Sequence, residues 1–120
     1  MPEANLSHER LQEAPRVTAV RIRGDVDASN GRAVESYFDA VLKDEQPRHV
    51  LLDLGGVTFG DSAFFSSLLF WREEMTKRGG QLILFGPRPE LLSTLRILTL
   101  DRVLTIRPDQ AAALAALPQE

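Results

Sequence analysis

An Asp-Ser pair at positions 61 and 62 contains the residue types best suited to chemistry or signalling in this sequence. The pair follows Gly60 and precedes a run typical of a helix, residues 63–77. The first turn of a helix has backbone N–H groups without an intrahelical partner, and an Asp or Ser oxygen accepts a hydrogen bond from one of them. One side chain is therefore expected to cap the helix, and the other is either incidental or available for function. We expect the working surface of the protein here.

A strand and a loop are predicted immediately before this helix. Residues 50–54 form an apolar run rich in β-forming residues, which indicates a buried strand. The glycines that follow predict a loop over residues 55–60, because glycine alone tolerates a positive φ without steric cost. Asp53 is the odd residue in the strand, and a charged residue there is expected at a strand end or as a hydrogen-bonded carboxylate.

The rest of the chain alternates between strands and helices, which predicts an α/β fold. Further strands are predicted over residues 17–23, 81–85 and 103–106, and further helices over residues 31–45, 89–98 and 110–117. Residues 5–11 are open to two interpretations, an edge strand or a frayed helix. Gly24 allows a sharp exit from the first of these strands, which places Asp25 and Asp27 on a loop.

Phe70 falls outside the apolar stripe of the helix predicted over residues 63–77. At steps of ~100° per residue it shares one face with Ala63 and Ser66, beside Ser62. Aromatic residues are enriched in the energetic centres of protein interfaces. We therefore hypothesise that this face docks a protein, and the alternative that Phe70 packs on a neighbouring loop is equally open.

Composition excludes several functional classes. The chain has 120 residues, no cysteine and a net charge of −3, so disulfides, thiolate catalysis and a basic nucleic-acid surface are not expected. His8 and His49 lack the spacing of metal ligands, and no metal or cofactor is predicted. No apolar run approaches the ~18 residues of a membrane-spanning helix, and the amino-terminal residues lack a signal-peptide pattern. We expect a cytoplasmic protein without direct membrane insertion.

Four segments, in order, resemble the motifs of STAS domains, which are named after sulfate transporters and anti-sigma factor antagonists. Residues 61–65, Asp-Ser-Ala-Phe-Phe, with Val-Thr-Phe before them, resemble the Asp-Ser-Ser-Gly-Leu motif of that family. Residues 24–27, 78–86 and 98–104 are similar to three further family segments. The resemblance covers residues 14–117, so residues 1–120 are expected to form a single STAS domain. It implies a mixed sheet of four to five strands with helices packed mainly on one face.

The resemblance also implies a function. In anti-sigma factor antagonists the first serine of the motif is phosphorylated by the partner, an anti-sigma factor with serine kinase activity. Ser62 occupies that position, and the unmodified form is expected to bind the partner while the phosphorylated form releases it. The expected partner-binding residues are Asp25, Asp27, Asp61, Ser62, Ala63, Phe64, Ser66 and Phe70.

The sequence departs from the family motif next to the phosphoacceptor. Ala63 replaces the second serine, and Phe64 replaces the glycine, which is expected to place a bulky ring beside Ser62. One alternative is therefore a STAS scaffold that is not phosphorylated, or a subunit of a stressosome-like or lipid-transport complex, and a homodimer through the extra aromatic residues is also open. A small enzyme or nucleotide-binding protein is a third interpretation. It has little support, because no Ser/His/Asp set is indicated and the glycine-rich stretch lacks the lysine of a phosphate-binding loop.

Overall fold

The computed structural model describes residues 4–118, which fold around one mixed five-stranded sheet. The strands are β1 (Asn5–Glu13), β2 (Arg16–Val26), β3 (His49–Gly60), β4 (Leu82–Phe85) and β5 (Thr105–Arg107). The helices are α1 (Gly31–Glu45), α2 (Ser62–Lys77), α3 (Pro89–Ile97) and α4 (Gln110–Ala115), with a short 3-10 helix at Leu100–Arg102. The strands lie in the sheet in chain order, and only β1 is antiparallel to its neighbour. The predicted α/β fold with a mixed sheet is confirmed.

The two faces of the sheet carry cores of different size. Val50, Leu52 and Leu54 of β3 join the larger core, together with the buried faces of α1, α2 and α3. Leu51 points to the opposite face and packs in a smaller cluster with residues of α4. This division follows from the alternation of side chains along a strand that is buried on both faces. The prediction that the helices pack mainly on one face is confirmed.

The predicted loop over residues 55–60 is wrong, because β3 continues as a strand to Gly60. β2 is also longer than predicted, and its last residues pair with the far end of β3. A Cβ atom on Gly56 would lie only 2.5 Å from Cγ of Arg23 on β2. Glycine is therefore required here for the close approach of two strands and not for a turn. Asp25 consequently lies within β2, whereas Asp27 follows its end.

The first strand, the last strand and the last helix of the described chain can be compared with the remaining predictions. Residues 5–11 belong to an edge strand, β1, which extends to Glu13, so the frayed helix is excluded. The last strand lies at Thr105–Arg107 instead of residues 103–106, because a 3-10 turn occupies the residues before it. The final helix ends at Ala115, two residues before the predicted end.

Aromatic stacking holds α1 and α2 side by side over the sheet. The rings of Phe38 on α1 and Trp71 on α2 stack with centroids 4.3 Å apart and an interplanar angle of 13°. A second link is polar, since the Ser67 hydroxyl donates a hydrogen bond to Oε1 of Glu35 at 2.9 Å. These contacts fix the spacing of the two helices, and the surface between them is a groove of defined shape.

Asp53 is a hydrogen-bonded carboxylate, as predicted. Its Oδ2 accepts from Nη1 of Arg21 at 2.8 Å, and its Oδ1 accepts from the backbone N–H of Gly55 at 2.9 Å. Nη2 of Arg21 also donates to the side chain of Gln110 at 3.1 Å. The pair therefore connects β2 and β3 to the first residue of α4.

Candidate protein-docking site at the start of helix α2

The two side chains of the Asp-Ser pair have different positions. Asp61 is the N-cap of α2, and its Oδ1 accepts a hydrogen bond from the backbone N–H of Phe64 at 2.9 Å. Ser62 is the first residue of the helix and is exposed, and its Oγ has no hydrogen-bond partner within residues 4–118. The carboxylate is thus engaged in capping, and the hydroxyl is the group that solvent and other molecules can reach.

The end of β2 lies directly beside this helix start. Val26 pairs with Gly60 across the parallel strands, and the backbone N–H of Asp61 donates to the Val26 carbonyl at 3.1 Å. Asp25 and Asp27 flank Val26, so the fold brings both predicted acidic residues next to the Asp-Ser pair. The cause is the parallel arrangement, because neighbouring parallel strands end at the same edge of the sheet.

Hydrogen bonds fix the positions of these two carboxylates. Asp25 accepts from the hydroxyl of Thr58 on β3, and its backbone carbonyl accepts from Nδ2 of Asn30 at 2.7 Å. Oδ1 of Asp27 accepts from the hydroxyl of Ser29 at 2.6 Å and from its backbone N–H at 2.9 Å. These bonds lower the pKa of Asp27, chiefly through the Ser29 hydroxyl. The rim around Ser62 is therefore anionic at neutral pH.

Phe64 does not lie where its place in the motif suggested. The side chain is only 2% exposed and packs edge-on against Trp71, with centroids 6.4 Å apart. The absence of a side chain at Gly60 makes room for it, since a Cβ atom there would lie 2.6 Å from Cδ2 of Phe64. The expectation that Phe64 places a bulky ring beside Ser62 is therefore wrong. The ring belongs to the core, so the approach to the Ser62 hydroxyl is open.

A groove between α1 and α2 begins beside Ser62. Its volume is about 470 Å³, and its lining includes the three residues predicted to share a face, Ala63, Ser66 and Phe70. Phe70 is 57% exposed, so it does not pack on a neighbouring loop. Glu35 and Asp39 of α1 form the opposite wall. We call this surface the acidic groove, because an aromatic side chain lines one wall and two carboxylates line the other.

The arrangement gives no support for catalysis by an imidazole near the serine. His49 is buried at the first residue of β3, whereas Ser62 follows the other end of that strand of 12 residues. Within the described part of the chain, no group of three or more histidine, aspartate or glutamate side chains is placed to hold a metal ion. What the geometry offers instead is an exposed hydroxyl, an acidic rim and a partly apolar groove, which suit the recognition of a protein.

Comparison with known proteins identifies the family. A sequence profile described as the STAS domain matches residues 10–113. The chain belongs to the STAS domain family. Its predicted membership and fold are therefore confirmed, and the helix start that carries Ser62 lies inside the matched region.

Solved structures of similar proteins share this fold over nearly their whole length. An anti-sigma-factor antagonist (STAS) domain protein from Planctomyces limnophilus is 25% identical, with a TM-score of 0.75 over 96% of this chain and 97% of that chain. An anti-sigma factor antagonist from Mycobacterium paratuberculosis is 22% identical, with a TM-score of 0.78 over 94% of each chain. The anti-sigma factor antagonist SpoIIAA of Bacillus, solved in its unphosphorylated and phosphorylated forms, is 14% identical. Its two structures give TM-scores of 0.75 and 0.69 over 92% of this chain and over 93% and 97% of those chains, respectively.

Several residues of this STAS domain that shape the candidate docking surface were not predicted from the sequence. Glu35, Asp39 and Ser67 line the acidic groove, and Phe59 is 52% exposed on β3, three residues before Ser62. Glu35 and Asp39 are one helical turn apart, a spacing that places them on one side of α1. Their position opposite α2 depends on tertiary packing, which no local pattern reveals.

No helix of residues 4–118 is long and apolar enough to cross a membrane.

Proposed function

We propose that this STAS domain is an anti-sigma factor antagonist that binds an anti-sigma factor with serine kinase activity and is switched by phosphorylation of Ser62. The observation that carries the proposal is the exposed, unengaged hydroxyl of Ser62 at the first position of α2, beside a cap formed by a different residue. The acidic groove and the carboxylates of Asp25, Asp27 and Asp61 supply the surface that the partner would contact.

The position of Ser62 makes a switch without unfolding physically reasonable. A phosphate adds about −1.5 to −2 charges at neutral pH, and the N-terminus of a helix stabilises negative charge. The hydroxyl makes no described internal contact that a phosphate would break. Modification should therefore leave the fold intact and change only the surface presented to the partner.

The release of the partner follows from desolvation and repulsion. A phosphate buried in a close interface loses its hydration, at a cost of several kcal/mol unless new partners compensate. The neighbouring carboxylates already make the rim negative, so acidic groups of the partner would be repelled further. A loss of about 3 kcal/mol corresponds to roughly a 100-fold weaker complex. Structures of SpoIIAA in both phosphorylation states support a switch of this type in a related fold.

The proposal is tested by purifying the protein with its bound partners from the source cell and mapping phosphorylation by mass spectrometry. We expect an ATPase related to histidine kinases as partner, and a single phosphate on Ser62 when that kinase and ATP are supplied. Ser62→Ala should remove the phosphate, whereas the matched control Ser66→Ala, an exposed serine on the next turn of α2, should keep it. Phosphate on Ser66 alone, or no phosphate on the wild type, would refute the switch.

A second candidate function is a STAS scaffold that binds its partner without phosphorylation. The observation in its favour is the exposure of Phe70 beside the acidic groove, which offers an anchor independent of Ser62. It predicts partner binding that is indifferent to Ser62→Ala and to ATP, and abolished by Phe70→Asp. Binding that depends on the phosphorylation state of Ser62 would exclude this candidate.

A further inference from the structure

A second groove lies along β5, the edge strand of the sheet farthest from β1. Its volume is about 660 Å³, and it is lined by Leu92 of α3, Val103 and three arginines, Arg96, Arg102 and Arg107. We call this surface the arginine groove. Among the described residues that line it, Asp101 is the only acidic one, so the groove is positive although the whole chain has a net charge of −3.

The arginines of this groove are exposed, and no carboxylate of residues 4–118 forms an ion pair with them. Among residues 4–118, every ion pair involves other side chains, and Nη1 of Arg107 donates only to the neighbouring Ile106 carbonyl at 3.0 Å. Guanidinium groups are weakly hydrated and pair with carboxylates through two parallel hydrogen bonds. The charge of the groove therefore favours binding to an acidic surface.

Three exposed apolar side chains lie in the lining of the arginine groove or directly after Arg96 in the chain. Ile97 is 80% exposed, Leu98 48% and Val103 44%, and these are three of the five large apolar side chains that are exposed in the described chain. The other two are Phe59 and Phe70, which lie near the start of α2 and at the acidic groove. Exposed apolar residues gathered beside charged rims are typical of protein interfaces.

The two grooves are complementary in charge and in apolar character. We propose that the arginine groove binds the acidic groove of a second copy of this chain, with Phe70 inserted among Leu92, Val103 and the arginines. Glu35 and Asp39 are the carboxylates that the guanidinium groups would meet. The aromatic ring also offers its face to an arginine, an attractive contact between a cation and a π system.

The contact joins two different surfaces, so it is a head-to-tail association. The acidic groove lies between α1 and α2, whereas the arginine groove lies along β5, the edge strand farthest from β1. Such a heterologous contact does not close on itself in a dimer, because each copy still presents one unused groove. Oligomers should therefore grow in size as the protein concentration rises. They should dissociate with added salt, because the attraction between opposite charges contributes to the contact.

Sedimentation velocity of the full chain at increasing concentration tests this inference without any other protein. We expect the average mass to rise above the 13.4 kDa of the monomer with concentration and to fall again in high salt. Phe70→Lys, which places a cation against the arginines, and Arg102→Glu should each weaken association by about tenfold or more. The matched control Lys43→Glu makes the same charge change as Arg102→Glu at an exposed residue that lines neither groove, and it should associate more strongly than Arg102→Glu.

Mixing the two variants gives the decisive result. The Phe70→Lys variant keeps its arginine groove and the Arg102→Glu variant keeps its acidic groove, so an equimolar mixture should form a dimer and stop there. A wild type that stays monomeric up to about 1 mM, a range that detects even weak contacts, would overturn the proposal. Oligomers that form in either variant at the same concentration as in the wild type, or a mixture that fails to dimerise, would overturn it too. Arg96→Glu replaces Arg102→Glu if circular dichroism shows that the latter does not fold.

Discussion

Replacing Asp61 by alanine tests whether capping and signalling are divided between Asp61 and Ser62. The substitution removes the hydrogen bond from the Phe64 N–H to Oδ1, whose length is 2.9 Å, and leaves that N–H without its cap. Loss of an N-cap costs typically ~1 kcal/mol, within a range of about 0.5–2 kcal/mol. The negative charge at the helix N-terminus contributes about a further 0.3–1 kcal/mol, reduced by solvent because Asp61 is only partly buried.

We therefore expect Asp61→Ala to lower the free energy of unfolding by about 1–1.5 kcal/mol, which for a chain of this size lowers Tm by roughly 4–6 °C. Two matched variants separate the causes. Asp61→Asn keeps an acceptor of the same shape and should lose only the charge contribution, about 0.3–1 kcal/mol. Ser62→Ala removes an exposed hydroxyl and should stay within about 0.5 kcal/mol of the wild type.

Equilibrium unfolding in urea, followed by tryptophan fluorescence, provides the measurement. Trp71 is the single tryptophan of the chain, and it is 1% exposed and stacked on Phe38, so its emission reports the loss of the core. The slope of the transition should be the same in all variants, because none changes the surface exposed on unfolding. The midpoint alone should move.

One result would refute the division between the two residues. If Ser62→Ala destabilised the protein as much as Asp61→Ala, the hydroxyl would be part of the cap and a phosphate on it would disturb the fold. Equal losses from Asp61→Asn and Asp61→Ala would instead show that charge, and not the hydrogen bond, stabilises the helix start. Either outcome would require a different account of how the surface is switched.

Three further predictions concern the framework around the site. Asp53→Ala should lower the free energy of unfolding by about 1–2 kcal/mol in urea unfolding, because it removes the 2.8 Å ion pair with Arg21 and leaves that guanidinium only the more exposed carboxylate of Glu9 at 3.2 Å, and a wild-type midpoint would contradict this. Gly60→Ala should lower the free energy of unfolding because the added methyl group clashes with Phe64, and the double variant with Phe64→Leu should recover part of that loss. If the losses of the two single variants simply added in the double variant, the clash would not be the cause. The folded pKa of Asp27 lies below its ordinary value of 3.8, so its stabilising contribution exists above that pH and is lost as pH falls through the folded pKa. The difference in urea midpoint between the wild type and Asp27→Asn should accordingly narrow below about pH 4, and a difference constant with pH would disprove it.

Local sequence patterns predicted most of the framework. The helix over residues 31–45 was predicted with the observed bounds, because its apolar spacing and the following Pro47 both act locally. The exposed face of α2 was also predicted, since the position of Phe70 follows from helical geometry alone. The prediction that Ser62 or Asp61 begins the helix could be made for the same reason, as caps depend on neighbouring backbone groups.

The errors have a common physical origin in tertiary contacts. Gly56 was interpreted as part of a loop, whereas its conformation is set by the approach of Arg23 on another strand. The motif comparison predicted the ring of Phe64 beside Ser62, whereas helical spacing places Phe64 in the apolar stripe of α2, and the space above Gly60 admits the ring to the core. The wall of the acidic groove formed by Glu35 and Asp39 depends on the stacking of Phe38 on Trp71, a contact between residues far apart in sequence. The approach of Arg23 to Gly56 and the stacking of Phe38 on Trp71 join residues far apart in sequence, and neither leaves a local signature.

The two proposals share one surface, and that overlap separates them experimentally. A second copy and the anti-sigma factor would compete for the acidic groove, so Phe70→Lys should weaken both complexes. Arg102→Glu alters only the arginine groove and should weaken self-association alone. At the concentration where half of the wild-type acidic grooves are occupied by second copies, the apparent Kd for the partner should be about twice its intrinsic value. The apparent Kd for the partner should therefore be the same for wild type and Arg102→Glu in dilute solution. At the concentration of half occupancy the two values should differ about twofold, with the variant binding more tightly. Identical titrations at all concentrations, despite measurable self-association, would show that the second copy does not cover the partner's surface.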